Sequence, residues 1–243
     1  MFRLLTISLL ASLTAACATE HGHAAGKAPT ESDEALAAKL KDARNLIVAQ
    51  APERAISEDL DPVIAHYEAL YRGSNKLIFC ARDLVESFIY VGAAGAAKGD
   101  AFKGKVTEVV GPIWCEAYFL KGAALVNLQR LDKAEEALRS ATNHASLNSG
   151  YISELAYVVQ QRGRSDEALR LFKQAADAAD FGSDESQKKQ ESARACRGQG
   201  YALIELNRLD EAERQYHECL TIDPGDQQSP KELDYIRELR DRK

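Results

Sequence analysis

The chain has 243 residues, enough for one sizeable domain or two small ones, and 45% of them are hydrophobic and 28% charged, as in ordinary soluble globular proteins. This composition excludes disorder over most of the length, and 15 glycines and 6 prolines exclude collagen-like and proline-rich classes. A net charge of −6 argues against a nucleic-acid partner. No apolar stretch reaches the roughly 18–20 residues of a membrane span, which excludes a polytopic membrane protein.

The first residues have the order of a secretory signal: Arg3, an apolar run over residues 4–13, and small residues up to Cys17. Small residues and a Cys after such a run resemble the bacterial lipobox, with Thr14 at its usual Leu position. The resemblance implies removal of residues 1–16, lipid on Cys17 and export to the periplasm. By the same resemblance, the absence of Asp after the Cys implies the outer membrane. Ordinary cleavage with free secretion, or a retained anchor, are the alternatives.

A polar segment of small residues follows at 17–32. Its Gly22 and Gly26 are typical of a flexible tether between an anchor and a domain. His21 and His23 lie close together, but no other metal-ligating residue is nearby. We therefore interpret them as solvated linker residues and expect no metal site.

Three segments in the second half of the chain align with one another. Each combines a small residue in a first apolar segment with an alanine in a second one, and the alanines are 34 and then 44 residues apart. The spacing indicates a 34-residue period, with a polar ten-residue insertion at 181–190 before the third copy. The small residues are Gly122, Ala156 and Gly200, and the alanines are Ala134, Ala168 and Ala212.

This pattern resembles the tetratricopeptide repeat, a helix–turn–helix unit of 34 residues. The resemblance implies an all-α fold, a right-handed α-solenoid whose small residues lie where the two helices of a unit touch. Pro224 ends the third repeat, as a helix terminator should. An ordinary alanine-rich helical bundle is the alternative. Acidic residues in the first turn of each second helix suit the helix dipole, namely Asp132, Asp166 and Asp210.

Apolar residues at helical spacing predict three helices before the repeats, at residues 31–50, 62–71 and 77–91. Pro52 breaks the first of them and Gly73 ends the second. We interpret these helices as two degenerate hairpins stacked on the clear repeats. A separate small helical domain is the alternative.

The glycine-rich segment after the third of these helices comes close to a phosphate-binding P-loop at residues 99–106. Val106 stands where the motif needs Ser or Thr to hold Mg²⁺, and the preceding segment is predicted to be helical rather than a strand. We therefore expect a flexible connection between helices and no nucleotide or other cofactor.

Residues 229–243 are predicted to form a C-terminal capping helix with one apolar side and one charged side. Ser229 is a good N-cap, Pro230 suits the first helical position, and Glu232 completes a capping box. The predicted organisation is a signal peptide at 1–16, a tether at 17–32, an N-terminal helical region at 33–111, three repeats at 112–226 and the capping helix at 229–243.

Four cysteines follow Cys17, and in an oxidising compartment an even number suggests disulfides. Of the three possible pairings we favour Cys80–Cys115 and Cys196–Cys219. Cys80 is predicted on the helix next to the first repeat, which Cys115 opens, and the other two occupy interior positions of the third repeat. Free buried cysteines are the alternative. No Cys-x-x-Cys spacing supports a zinc site.

By the resemblance, the first helices of the repeats line a concave groove that takes a peptide or a partner helix. Arg194 and Arg197, beside Tyr201, could hold a carboxylate and a flat apolar group together. Exposed arginines that only solubilise the helix are the alternative. The groove positions implied by the resemblance are Glu116, Phe119, Asn127, Ser153, Tyr157, Gln160, Arg194, Arg197 and Tyr201.

No catalytic motif emerges: Gly-x-Ser-x-Gly, His-Glu-x-x-His and Ser-x-x-Lys are all missing. We therefore expect a non-catalytic module that binds a protein or peptide partner as an envelope assembly or scaffold factor and touches the membrane only through its lipid. The alternative function is an accessory subunit of a cell-wall or envelope enzyme that binds a glycan or peptide.

Overall fold

The computed structural model describes residues 31–96 and 105–242. The predicted signal peptide, the lipidation site Cys17, the paired His21 and His23 and most of the tether lie outside the described residues. So does most of the segment that comes close to a P-loop, at 97–104.

The chain begins with a helical hairpin. Helix α1 (Asp33–Val48) starts at Ser32, whose hydroxyl accepts a hydrogen bond from the backbone N–H of Ala35 at 3.3 Å. Pro52 then opens a second helical arm, because it needs no intrahelical N–H partner at a first-turn position. This arm comprises α2 (Pro52–Arg54), a π-helical segment (Ala55–Leu60) and α3 (Asp61–Tyr71). Helix α1 and this arm together form one of the two predicted hairpins.

The second predicted hairpin is wrong, because a strand–helix–strand unit takes its place. Strand β1 (Leu77–Cys80) pairs in parallel with β2 (Thr107–Val110), and α4 (Leu84–Ala96) lies between them in the chain. The helix predicted at 77–91 therefore begins only at Leu84, and its first residues form β1 instead. A short apolar run cannot be assigned to helix or strand from periodicity alone, and here alternate residues of β1 are buried.

Helix α4 leaves three apolar side chains largely in solvent: Leu84, Val85 and Phe88 are 76%, 68% and 76% exposed. Within the described parts of the chain, every helix is too short or too polar to cross a membrane.

The predicted α-solenoid and its capping helix are confirmed. Three helical hairpins follow β2, successive helices pack on one another, and the first helices of the hairpins contact each other. The helices are α5 (Ile113–Asn127), α6 (Leu131–His144), α7 (Ser149–Gln161), α8 (Ser165–Ala179), α9 (Glu185–Glu205), α10 (Leu209–Ile222) and the cap α11 (Ser229–Asp241).

Small residues allow the two helices of a repeat to approach closely. A Cβ atom added to Gly122 on α5 would lie 2.5 Å from Cγ of Leu138 on α6. One added to Gly200 on α9 would lie 2.7 Å from Cζ of Tyr216 on α10. Both distances are below any normal contact, so the repeat pattern marks helix–helix contacts.

The polar insertion before the third copy mostly extends a helix. Asp184 caps α9 by accepting a hydrogen bond from the backbone N–H of Gln187 at 2.9 Å, so the helix already runs from Glu185. Residues 185–190 thus add turns to α9.

Two disulfides join Cys80 to Cys115 and Cys196 to Cys219, the pairs favoured from the sequence, with Cα–Cα distances of 6.2 and 5.6 Å. Cys80 lies on β1 and not on a helix, which corrects the predicted position. The first bond fastens the strand–helix–strand unit to α5, and the second joins α9 to α10.

Candidate functional site

The nine groove positions implied by the repeat pattern all lie on α5, α7 and α9. We call the side of these three helices that carries them the A-helix face. On α5, Glu116 forms an ion pair with Arg44 of α1. Phe119 stacks on Tyr151 with 4.6 Å between ring centroids, and Asn127 is exposed at the helix end. The α5 residues are therefore spread along the face.

A cavity of about 360 Å³ lies farther along the face, between α7, α9 and the start of α11. It brings together Tyr157 and Gln160 from α7 with Arg197 and Tyr201 from α9. Ser153, which is buried, does not line it. The sequence pattern did not assign the remaining lining residues to the groove: Gln161, Phe172, Gly198, Tyr216, Gln228 and Glu232.

Both arginines of the predicted carboxylate site already have acidic partners. Arg194 forms an ion pair with Glu154. Arg197 approaches Asp226, with 3.5 Å between Nη1 and Oδ1. A ligand carboxylate would therefore have to compete with two carboxylates of the protein, because both guanidinium groups are already paired.

The predicted capping box at the start of α11 is wrong. Asp226 supplies the cap instead, since its carboxylate accepts hydrogen bonds from the backbone N–H groups of Gln228 and Ser229, both at 3.1 Å. Burial tends to raise the pKa of Asp226, but the bonds from Ser229 and the backbone outweigh it, and the pKa is lowered. The carboxylate that was expected to complete the box, Glu232, is thereby left for the cavity.

The carboxylate of Glu232 has no hydrogen bond or ion pair with another described residue, and its half-buried position raises the pKa of the carboxyl group. Burial, and then the charges of Glu205 and Glu232, raise the pKa of Tyr201. Tyr157 and Tyr201 remain 44% and 40% exposed as whole residues. The cavity thus combines open aromatic rings with an unpaired carboxylate.

Gln160 adds a buried donor beside the cavity. Only 7% of the residue is exposed, and its Nε2 atom has no hydrogen-bond partner among the described residues. A buried N–H group without a partner is unfavourable by about 1–3 kcal/mol, which a bound acceptor would relieve. Across residues 31–96 and 105–242, no three His, Cys, Asp or Glu side chains come together as metal ligands.

Two family models match the chain, and both describe the tetratricopeptide repeat. They cover residues 116–143 and 193–226, which are the first and third copies of the repeat. No curated protein matches the sequence significantly.

Solved structures show the same fold. The chain resembles MamA (residues 41 to the end) from Desulfovibrio magneticus RS-1, with 13% identity and a TM-score of 0.54 over 86% of this chain and 87% of that one. A double mutant of the RS-1 protein matches equally well, over 86% of each chain. The second TPR domain of human RPAP3, solved with the HSP70 peptide SGPTIEEVD, has 21% identity and a TM-score of 0.45 over 52% of this chain and 98% of that one. The chain therefore contains tetratricopeptide repeats, built into an α-solenoid that ends in a capping helix.

Proposed function

We propose that this protein is an exported, lipid-anchored interaction module that binds a partner protein or peptide on its A-helix face as an envelope assembly or scaffold factor. Tetratricopeptide repeats are in general non-catalytic interaction modules. The observation that carries the proposal is the cavity between α7, α9 and α11. It offers the exposed rings of Tyr157 and Tyr201 together with polar groups, the combination that recognition sites use.

Export and anchoring are supported by the sequence and by the two disulfides. Disulfides persist in oxidising compartments such as the bacterial periplasm, and this chain has two of them. The order of the first residues, with Cys17 after a short apolar run, adds the expectation of a lipid anchor.

The anchor is tested by fractionating cells that express the wild type or Cys17→Ser. We expect the wild type to sediment with outer membranes and to incorporate labelled fatty acid, and the variant to do neither. Equal membrane association of the two proteins would contradict the lipid anchor.

Partner binding is tested by affinity capture from gently solubilised membranes, followed by identification of the retained proteins. The test variant is Tyr157→Ser/Tyr201→Ser, which removes both exposed rings from the cavity. The matched control is Leu70→Ser, an exposed apolar residue on α3 that is 54% exposed. A protein retained by the wild type and the control but not by the double variant supports the proposal. An unchanged set of retained proteins contradicts it.

The second candidate is an accessory subunit of a cell-wall or envelope enzyme that binds a glycan or peptide. Its support is the same pair of exposed tyrosine rings. Retention of purified peptidoglycan fragments by the wild type but not by Tyr157→Ser/Tyr201→Ser would favour it over a protein partner.

A further inference from the structure

The charges around the A-helix-face cavity are predominantly acidic. Among the residues that the structure describes, Arg197 is the one cation that lines it, and Asp226 neutralises that guanidinium at 3.5 Å. Glu232 lines the cavity without an ion-pair partner among the described residues, and Glu205 acts on Tyr201 from one turn further along α9. Electrostatic complementarity therefore favours a cation in this cavity.

Aromatic side chains line the same cavity as this unpaired carboxylate. Tyr157 and Tyr201 line the cavity with large exposed fractions, and the ring of Tyr216 closes its inner side. Tyr235 of α11, 42% exposed, lies close enough to affect Tyr201. A cation held near aromatic faces is attracted by the negative potential of the rings, and a carboxylate at the same place adds direct charge pairing.

We propose that this cavity binds a lysine or arginine side chain of the partner, with Glu232 as its counter-ion and Tyr157 and Tyr201 against its stem and charged head. The inference rests on the proposed function, because it names the side chain by which the partner is recognised. It also reverses the charge expected of the ligand from Arg194 and Arg197 alone, since both arginines are satisfied internally.

The unsatisfied amide of Gln160 fits a peptide ligand. Its Nε2 atom lacks an acceptor, and the main-chain carbonyl groups of an extended peptide supply acceptors beside every side chain. A basic side chain in the cavity would satisfy the unpaired acceptor. A main-chain carbonyl would satisfy the buried donor once the Gln160 side chain turns towards the ligand.

The test selects binders from a random dodecapeptide display library on the full chain, purified from detergent-solubilised membranes. We expect Lys and Arg to be enriched at one position of the selected peptides. We also expect the best peptide to bind about tenfold more weakly to Glu232→Gln, because the substitution removes the charge but keeps the shape. The matched control is Glu238→Gln, the same change at an exposed site of α11, which should leave binding unchanged.

A double-substitution cycle makes the assignment specific. Replacing the enriched basic residue by norleucine should weaken binding to the wild type about tenfold. It should cost clearly less in Glu232→Gln, where only the attraction of the cation to the tyrosine rings remains, since the charges of Glu232 and the basic residue act on one another. Tyr201→Phe should keep the preference for a basic residue and Tyr201→Leu should reduce it, with thermal unfolding confirming that each variant folds.

Four results would overturn the inference. Enrichment of acidic residues would show that the arginines govern the site, and equal, independent losses in the cycle would show that Glu232 does not contact the basic residue. Peptides that bind the A-helix face without a basic preference would defeat this inference alone, whereas a wild type that retains no peptide would contradict the proposed function as well.

Discussion

At the residue scale, the turn inside each repeat has one backbone position with positive φ. Gln129, Gly163 and Asn207 have φ values of 56°, 77° and 55° and follow the first helix of each unit at the same phase. Gln50, with φ of 58°, holds the matching place after α1. The N-terminal hairpin therefore uses the same turn as the clear repeats, and its buried Ala43 and Ala55 stand at the same distances from that turn as the small residues of each clear repeat.

This turn predicts opposite effects of alanine and glycine. Gly163→Ala should destabilise the protein by about 1 kcal/mol, because a Cβ atom disfavours the left-handed region. Gln129→Gly should be neutral or stabilising, since it relieves the same strain. Gly111→Ala is the control: the glycine has no positive φ and a Cβ atom there would meet no atom within 4 Å. Chemical denaturation measures all three, and an unaffected Gly163→Ala would contradict the account.

At the element scale, Glu135 ties the first two repeats together. The carboxylate lies on α6, is 5% exposed, and pairs with Arg139 of its own helix and with Arg162 and Arg164 of the next turn. Burial tends to raise the pKa of Glu135, but the three guanidiniums outweigh it and lower the pKa to about 2. The sequence indicated only the pair with Arg139, four residues away on one helix, because the contacts with Arg162 and Arg164 join positions 27 and 29 residues apart.

We expect Glu135→Gln to destabilise the protein by about 1–2 kcal/mol, a value kept modest because the arginines are partly exposed and screened by solvent. Glu136→Gln, the same change at the exposed neighbour, should cost almost nothing. Urea denaturation at neutral pH compares the two variants. Equal stabilities would show that Glu135 is not a structural tie between the repeats.

The same carboxylate predicts an acid transition. Its pKa in the folded state lies below the ordinary value of 4.5, so its contribution is complete above that pH and is lost as the pH falls towards about 2. The gap in stability between the wild type and Glu135→Gln should therefore close over this interval. A difference in stability that stays constant from neutral pH down to about pH 2 would contradict the role assigned to the Glu135 charge.

The disulfides supply a further prediction at this scale. Cys196 and Cys219 are 23 residues apart, and closing a loop of this length restricts the unfolded chain by about 3 kcal/mol. Cys196→Ala/Cys219→Ala should therefore lower the melting temperature by roughly 6–12 °C. Adding reductant should lower the melting temperature of the wild type at least as much, because it also opens Cys80–Cys115. A wild-type melting temperature that reductant leaves unchanged would contradict a stabilising role of the two disulfides.

At the scale of the whole molecule, the solenoid was predictable because its signal is local and repeated. Gly122 and Gly200 mark helix contacts that the structure contains, and the cap at α11 follows from an apolar stripe. The parallel strands β1 and β2 were not predictable, because they pair residues 30 positions apart through hydrogen bonds that leave no helical or alternating signature in so short a run.

The candidate site was predictable only in part. The repeat phase placed Tyr157, Gln160, Arg197 and Tyr201 on one face, and they share one cavity. The charge of the cavity could not be deduced from the sequence, because it depends on which acidic residue pairs with Arg197 and on which one caps α11. Asp226 pairs with Arg197 and also caps α11, which leaves Glu232 unpaired.

The proposed function requires the A-helix face to contact a partner protein at its Tyr157–Tyr201 cavity. The most direct measurement places a photo-crosslinking amino acid at Tyr157 in living cells and, as a control, at Leu70 on α3. The account predicts a discrete crosslinked protein from position 157, lost when Tyr201 is also replaced by Ser, and no such product from position 70. No crosslink at position 157, or the same product from both positions, would contradict it.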